Sequence, residues 1–288
     1  MIDILKNLLK EIELTIFKTY QSIISVIKVI ILSKKFINLP QGKSDTCYVL
    51  GNGPSLNSFL KTYSPKSVID LFCVNHFPSS DSYISVRPSG CVWLDPAFYF
   101  GAHPLAIETI ENLILRTAWP LKLYVPIYAS KSTIIKKILS RNSNINIVFF
   151  NYTLVNGFDF FCNFFFKRNL GMPQCENVIA ATIFISINSG FKNIYLMGAD
   201  HTWLRDLVVK PDNELYLKMS HFYSGTETKY SILKNKGGEK RKITDFLQSS
   251  IRAFSTYYIL NRYARQIGTH IYNATEDSYI DAFQRKMP

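Results

Sequence analysis

Residues 48–56 read Tyr-Val-Leu-Gly-Asn-Gly-Pro-Ser-Leu, an apolar β-run that breaks into a glycine turn and then into a helix start. Gly51 and Gly53 can take backbone angles closed to other residues and let the chain approach a ligand closely. The first N–H groups of the following helix would face an anion, and Pro54, with no N–H to lose, suits its opening turn ahead of Ser55. The layout is that of a phosphate cradle. The competing reading is a strand-to-helix turn with no ligand, because every α/β fold needs such turns. Leu56 stands where the third glycine of a GxGxxG dinucleotide fingerprint belongs, which disfavours a plain NAD enzyme.

Three further apolar runs end in polar residues able to do chemistry. One ends in Asn75-His76-Phe77, one in Asp95-Pro96, and one in Gly198-Ala199-Asp200-His201-Thr202-Trp203. Asparagine amides both donate and accept, which fits ribose hydroxyls, base edges or phosphate. Asp200 and His201, adjacent on a loop after a strand, stand where a catalytic acid or base would be displayed, with a structural pair as the alternative. Downstream, Ser220-His221-Phe222-Tyr223 leads into a stretch holding Lys229, Lys234, Lys236, Lys240, Arg241 and Lys242 around Gly237-Gly238. Residues 204–242 read as a basic lid that could close over phosphate groups and exclude water, or as a solvated surface loop.

The elements that must carry these residues alternate along the chain. Apolar runs at 46–50, 68–74, 91–94, 121–125, 145–150, 193–197 and 270–273 predict strands, and amphipathic stretches at 104–116, 132–139, 177–188 and 243–266 predict helices. Strands and helices taking turns predict an α/β fold: a single Rossmann-like domain over residues 43–288, with a mostly parallel sheet covered on both faces. Ligands bind such sheets beyond the strand ends. Asn177, at the head of one predicted helix, joins the candidate binding residues. The phenylalanine-rich stretch 158–166 reads as core packing, with a sugar or lipid acceptor site lined by its phenylalanines as the alternative.

The 288 residues carry a net charge of +12, which attracts polyanions: acidic lipid surfaces, nucleotide phosphates or nucleic acid. Nucleic acid is the weakest of these, because the aromatic residues sit mostly in apolar runs and do not interleave with the basic ones. Cys47, Cys73, Cys91, Cys162 and Cys175 form an odd set, several of them in buried-looking runs, which fits a reduced cytosolic setting. No CxxC or HExxH pair supports a zinc site. Residues 1–42 are a different kind of segment: Ile4, Leu5, Leu8, Leu9, Ile12, Ile16, Ile23, Ile24, Ile27, Ile30 and Ile31 recur at helical spacing, among lysines that outnumber acids. Lys18 and Lys28 interrupt any spanning stretch of about 20 residues. The segment therefore predicts an in-plane anchor on an anionic inner leaflet, or else a helix packed on the domain or on a second subunit of a homo-oligomer.

Taken in order, GNGPSL (residues 51–56), CVNHF (residues 73–77), WLDPAFYF (residues 93–100) and FKNIYLMGAD (residues 191–200) resemble the bacterial sialyltransferases that modify lipooligosaccharides from CMP-sialic acid, and related polysaccharide-locus proteins with the same opening loop. The comparable stretches of that family read GNGPSL, CNQF, YNP followed by an aromatic, and GYKEIYLSGID. The resemblance spans roughly residues 45–275. It implies a Rossmann-like glycosyltransferase fold, a CMP-linked acidic sugar as donor substrate, inversion at the anomeric carbon, and no metal or other cofactor. It also implies that Asn52 and Asn75 contact the nucleotide. Asp95 replaces the family's asparagine, and Thr202 replaces a tyrosine that assists phosphate departure, a role His201 could share. The family's lid run SHYIGH becomes SHFYSG, which keeps the first histidine, so His221 is the expected general base and Tyr223 a donor contact. Without a clear DxD pair, phosphate departure would lean on N–H groups, hydroxyls and basic side chains. The function so implied is a peripheral enzyme at the cytoplasmic face of the inner membrane, moving a sialic-acid-like or Kdo-like sugar onto a cell-surface glycan or lipid-linked precursor. A different nucleotide-sugar donor, or a non-enzymatic basic adaptor of a polysaccharide-assembly complex, are the alternatives.

Overall fold

The structure, a computed structural model, describes residues 2–35, 37–63, 69–101, 103–219, 229–234 and 238–288. The chain opens with helix α1 (Ile2–Leu32) and then runs β1 (Thr46–Leu50), α2 (Leu56–Thr62), β2 (Asp70–Val74), α3 (Tyr83–Val86) and β3 (Gly90–Val92). There follow α4 (Pro104–Arg116), β4 (Leu121–Pro126), α5 (Thr133–Arg141), β5 (Ile145–Phe150), α6 (Asp159–Lys167), α7 (Val178–Asn188) and β6 (Asn193–Met197). Strands β7 (Leu207–Val209), β8 (Leu215–Met219) and β9 (Lys229–Ile232) precede α8 (Ile243–Gln266), β10 (His270–Asn273) and β11 (Gln284–Arg285).

Eight strands form one sheet in the order β11-β10-β6-β1-β2-β3-β4-β5, and every neighbouring pair is parallel. The chain winds outward from β1 to β5 and then returns to lay β6 on the other side of β1. That reversal creates a switch point beyond the ends of β1 and β6, where open α/β sheets bind ligands. The fold class expected from strand and helix alternation is the one observed.

Burial follows from the sequence. In β1, Cys47 and Val49 join one core layer while Tyr48 and Leu50 join the other, as expected for a parallel strand covered on both faces. Helix α7 is apolar all round, and every residue from Val178 to Ile187 is buried. It lies across the sheet with contacts to β1, β2, β3 and β6. Helix α8 packs on α7, and α4 and α5 cover the other face.

Three regions differ from expectation. The stretch at 158–166 is helical, and Asp159, Asn163 and Lys167 recur every four residues along one side of α6; Cys162 and Phe166 are buried while Phe160 and Phe164 are exposed, and Asp159 in the first turn and Lys167 in the last complement the helix dipole. The described part of the expected lid loop is a three-stranded antiparallel sheet, β7-β8-β9. Its lysines suggested a solvated loop, but Leu215 and Leu217 alternate with Tyr216 and Lys218 and are buried, the period of a half-covered strand. Finally, α1 is one continuous helix whose last turns dock. Ser25 Oγ donates to Asn156 O at 2.9 Å, Val29 is buried, and beyond the helix Ser33 Oγ donates to Leu170 O at 2.6 Å.

The central place of α7 gives a stability prediction. Ile183, fully buried in the core layer between α7 and the sheet, should cost about 2–5 kcal/mol on Ile183→Ala, read from urea unfolding, whereas Leu139→Ala at an exposed position should cost under about 1 kcal/mol.

Candidate functional site

At the switch point the turn after β1 and the turn after β6 interlock. Gly51 N–H donates to Met197 O at 2.7 Å and Gly53 N–H to Gly198 O at 2.9 Å. Asp200 then reaches across: its carboxylate accepts from Ser55 N–H at 3.3 Å and from Ser55 Oγ at 2.8 Å. A Cβ on Gly53 would fall 1.8 Å from Asp200 Oδ2, and one on Gly51 would fall 2.3 Å from Gly198 O, so both positions require glycine. Gly198 itself has φ +67° and stacks against Leu56. Burial raises the Asp200 carboxyl above its usual range, and the two Ser55 bonds pull it back down.

These bonds correct the expectation of a backbone phosphate cradle. The amides of Gly51, Gly53 and Ser55 are spent on protein acceptors, and the short helix α2 begins with its first N–H groups turned back onto Gly53, Pro54 and Ser55. Asp200, a candidate acid or base by its place after a strand, clasps this turn through Ser55 and also lines the pocket beside it.

Beside the interlock lies a pocket of about 980 Å³, at the upper end of the range for small-ligand sites. The sequence candidates Gly51, Asn52, Gly53, Pro54, Asn75, Asp95, Asn177, Asp200, His201 and Thr202 all line it; Ser55 sits behind the wall as the partner of Asp200. His221 and Tyr223 lie outside the described residues. Three asparagines in the wall have an amide atom that is buried without a hydrogen-bond partner: Asn52 Oδ1, Asn75 Oδ1 and Asn177 Nδ2. Each unmade bond costs about 1–3 kcal/mol unless a partner arrives. Asn75 stands in the left-handed region at φ 45°, so the chain turns sharply where β2 ends. Asp95 is exposed and caps the short turn after β3 by accepting from Ala97 N–H at 2.9 Å. Thr202 Oγ1 donates to Asp206 at 2.9 Å.

His201 is corrected as a candidate base. Its backbone is left-handed at φ 54°, its ring is buried between Trp203 (centroids 4.2 Å apart) and Tyr257, and Nε2 lies 2.6 Å from the Tyr257 hydroxyl. Burial drops its pKa to about 3, so the imidazole is neutral at ordinary pH and too weak a base to capture a proton there. Arg205 and Lys218 carried no sequence signal as site residues, and His76 carried one only as part of the strand end Asn75-His76-Phe77. His76 Nδ1 is 2.7 Å from Thr109 Oγ1, whose own hydrogen goes to Leu105 O, so Nδ1 holds the proton. Arg205 and Lys218 bring positive charge; Arg205 is 3.7 Å from Asp206, and Lys218 has no acidic partner among the described residues. Among the described residues no group of three or more His, Cys, Asp or Glu is placed to hold a metal ion.

No protein-family model matches the sequence, and no curated protein matches it. Solved structures do. The chain is similar to the monofunctional alpha-2,3-sialyltransferase Cst-I from Campylobacter jejuni, at 14% identity over 88% of this chain and 85% of that one, with a TM-score of 0.46. It is also similar to the sialyltransferase CstII from Campylobacter jejuni in complex with cytidine-5'-monophosphate, at 14% identity over 84% of this chain and 85% of that one, with a TM-score of 0.44.

The His201 environment sets a pH dependence. A histidine with a folded pKa near 3 and an unfolded value near 6.5 takes up its proton on unfolding between those values. Its contribution to stability is therefore complete above about pH 6.5 and is lost as pH falls toward 3, at up to about 1.4 kcal/mol per pH unit. His201→Gln, which keeps a side-chain N–H donor, should remove that part of the slope in urea titrations run between pH 4 and 7; an unchanged slope refutes the assignment.

Proposed function

We propose that this chain is an inverting glycosyltransferase that takes a sialic-acid-like or Kdo-like sugar from a CMP donor and passes it to a cell-surface glycan or lipid-linked precursor. The observation that carries this reading is the convergence of Gly51, Asn52, Gly53, Pro54, Asn75, Asp95, Asn177 and the turn at 198–202 on one pocket, where Asn52, Asn75 and Asn177 each have one buried amide atom without a partner. Amides with free acceptors and donors suit a pyrimidine edge and ribose hydroxyls, and Arg205 and Lys218 suit a phosphate and a sugar carboxylate. In this reading Asn52 and Asn75 hold the nucleotide. His221 takes the acceptor proton, the role that the buried ring of His201 is poorly placed to fill. Lys218 and Tyr223 support the departing CMP, so that no DxD-bound metal is called on.

The same reading places the enzyme at the cytoplasmic face of the inner membrane. Residues 3–32 are long and apolar enough to cross a bilayer by length and composition. Two features favour lying in the plane instead. The first half of α1 carries Asp3, Lys6, Lys10, Glu11, Glu13 and Lys18, and its end is bonded to the domain through Ser22, Ser25 and the adjoining Ser33. At 3.6 residues per turn, Leu5, Leu9, Ile12, Ile16, Ile23, Ile27 and Ile30 form an exposed stripe turned away from those docking residues, beside the lysines.

Two measurements test these statements. Thermal unfolding against CMP, UDP, GDP and NAD should show stabilisation by CMP, about 2.7 kcal/mol at a hundredfold excess over Kd, and no response to any nucleotide refutes the enzyme reading. Full-length protein should sediment with vesicles containing phosphatidylglycerol, more weakly with pure phosphatidylcholine, and at least about tenfold more weakly after Ile16→Glu with Ile23→Glu. Equal sedimentation of the double variant refutes the anchor.

A further inference from the structure

We propose that Tyr257 is a positioning residue for donor recognition: with His201 it holds the Asn177 amide so that its Nδ2 hydrogens, and not its oxygen, are available to a hydrogen-bond-accepting oxygen of the bound donor. This rests on reading the pocket as a donor site, and it assigns a role to two buried residues that lie outside the reacting atoms.

An asparagine amide can present either end to a ligand, and the two ends have opposite preferences. Here the choice is made by neighbours. Asn177 caps α7, and its Oδ1 accepts from Ala180 N–H at 3.0 Å. The same oxygen accepts from the Tyr257 hydroxyl at 3.1 Å. Tyr257 comes from the middle of α8 and is fully buried, so its single hydroxyl hydrogen has few places to go. Having donated that hydrogen to Asn177, the hydroxyl must accept from its other neighbour, His201 Nε2 at 2.6 Å. A neutral imidazole carries one proton, and this geometry puts it on Nε2. The direction of the relay is then fixed throughout: His201 donates to Tyr257, Tyr257 donates to Asn177, and both Asn177 Oδ1 lone pairs are filled. What remains is Nδ2, which has no partner, in a residue that lines the pocket.

The relay also joins the pocket walls. His201 follows Asp200, which clasps the turn after β1, while Asn177 begins α7 and Tyr257 belongs to α8. Trp203 stacks on the His201 ring 4.2 Å away and keeps it in line with Tyr257. A donor oxygen of phosphate or carboxylate type completes the one bond the relay leaves unmade, whereas a ligand offering an N–H there meets another donor.

Calorimetric titrations with CMP-N-acetylneuraminic acid, CMP and cytidine test this on wild type, Asn177→Asp and Tyr257→Phe. Asn177→Asp keeps the cap and still accepts from Ala180 and Tyr257, so its unfolding temperature should stay within about 3 °C of wild type. It replaces the N–H donor by a charged oxygen, so the anionic ligands should bind at least about 100-fold more weakly while cytidine is unaffected. Tyr257→Phe removes one of the two bonds that hold Asn177 Oδ1, leaving only the Ala180 cap, and should weaken the anionic ligands by about tenfold. A purely structural role predicts parallel losses for all three ligands, or none, and either result overturns the proposal. If Tyr257→Phe fails to fold, Asn177→Asp alone decides. Wild-type protein that binds CMP while Asn177→Asp binds it equally well overturns the relay and leaves the donor-site reading standing; wild-type protein that binds none of the three overturns both.

Discussion

The geometry of the site depends on one interaction, the clasp between the turn after β1 and the turn after β6. Two glycines permit it, since a Cβ at Gly53 would overlap the Asp200 carboxylate and one at Gly51 would overlap Gly198 O. Two backbone bonds and a bidentate carboxylate on Ser55 then lock the turns together. Because β1 and β6 are the neighbouring strands at which the sheet reverses its winding, fixing their ends fixes the floor of the crevice. Parallel strands buried on both faces bring the apolar core to that point, and the clasp ends it in polar groups.

The clasp has a consequence for recognition. Glycine turns can bind anions with their own N–H groups, but here those of Gly51, Gly53 and Ser55 are bonded within the protein. The polar groups that line the pocket beside the clasp are side chains: asparagines at the ends of β1 and β2 and at the head of α7, and two cations on β8 and the turn after β6. Such a site has a preformed floor and walls that a ligand must complete. Hydrogen-bond deficits of this kind persist in folded proteins where a ligand or an ordered water makes up the missing bond.

Much of this was legible in the sequence. Strands β1, β5, β6 and β10 and helices α4 and α8 lie at the residues where apolar periodicity put them, because parallel strands read as short unbroken apolar runs and surface helices as striped ones. The strand-end rule also brought Asn52, Asn75, Asp95, Asp200 and His201 to one pocket. Helix α6 stayed hidden because its many phenylalanines drew the reading toward packing, although Asp159, Asn163 and Lys167 recur at helical spacing, and the β7-β8-β9 sheet because its lysines masked the alternation of Leu215 and Leu217. Roles were harder to read than places. The bond from Asp200 to Ser55 joins residues 145 apart and that from Tyr257 to Asn177 joins residues 80 apart, and no local pattern announces a pairing across such distances. An adjacent Asp-His pair suggested proton transfer, whereas burial has made one residue a clasp and the other a neutral donor.

The central claim is that this crevice binds a CMP-linked acidic sugar, and Trp203 offers a local reporter because it lines the pocket while Trp93 is buried in the core and Trp119 lies away from the pocket, bonded to Pro88 O. Tryptophan fluorescence followed during titration with CMP-N-acetylneuraminic acid should show a saturable change that is largely lost in Trp203→Phe, with any remainder from Trp93, whose indole N–H donates to Asn75 O, and that survives in Trp119→Phe. A change undiminished without Trp203, or no saturable change in a protein that remains folded, contradicts the assignment of this pocket.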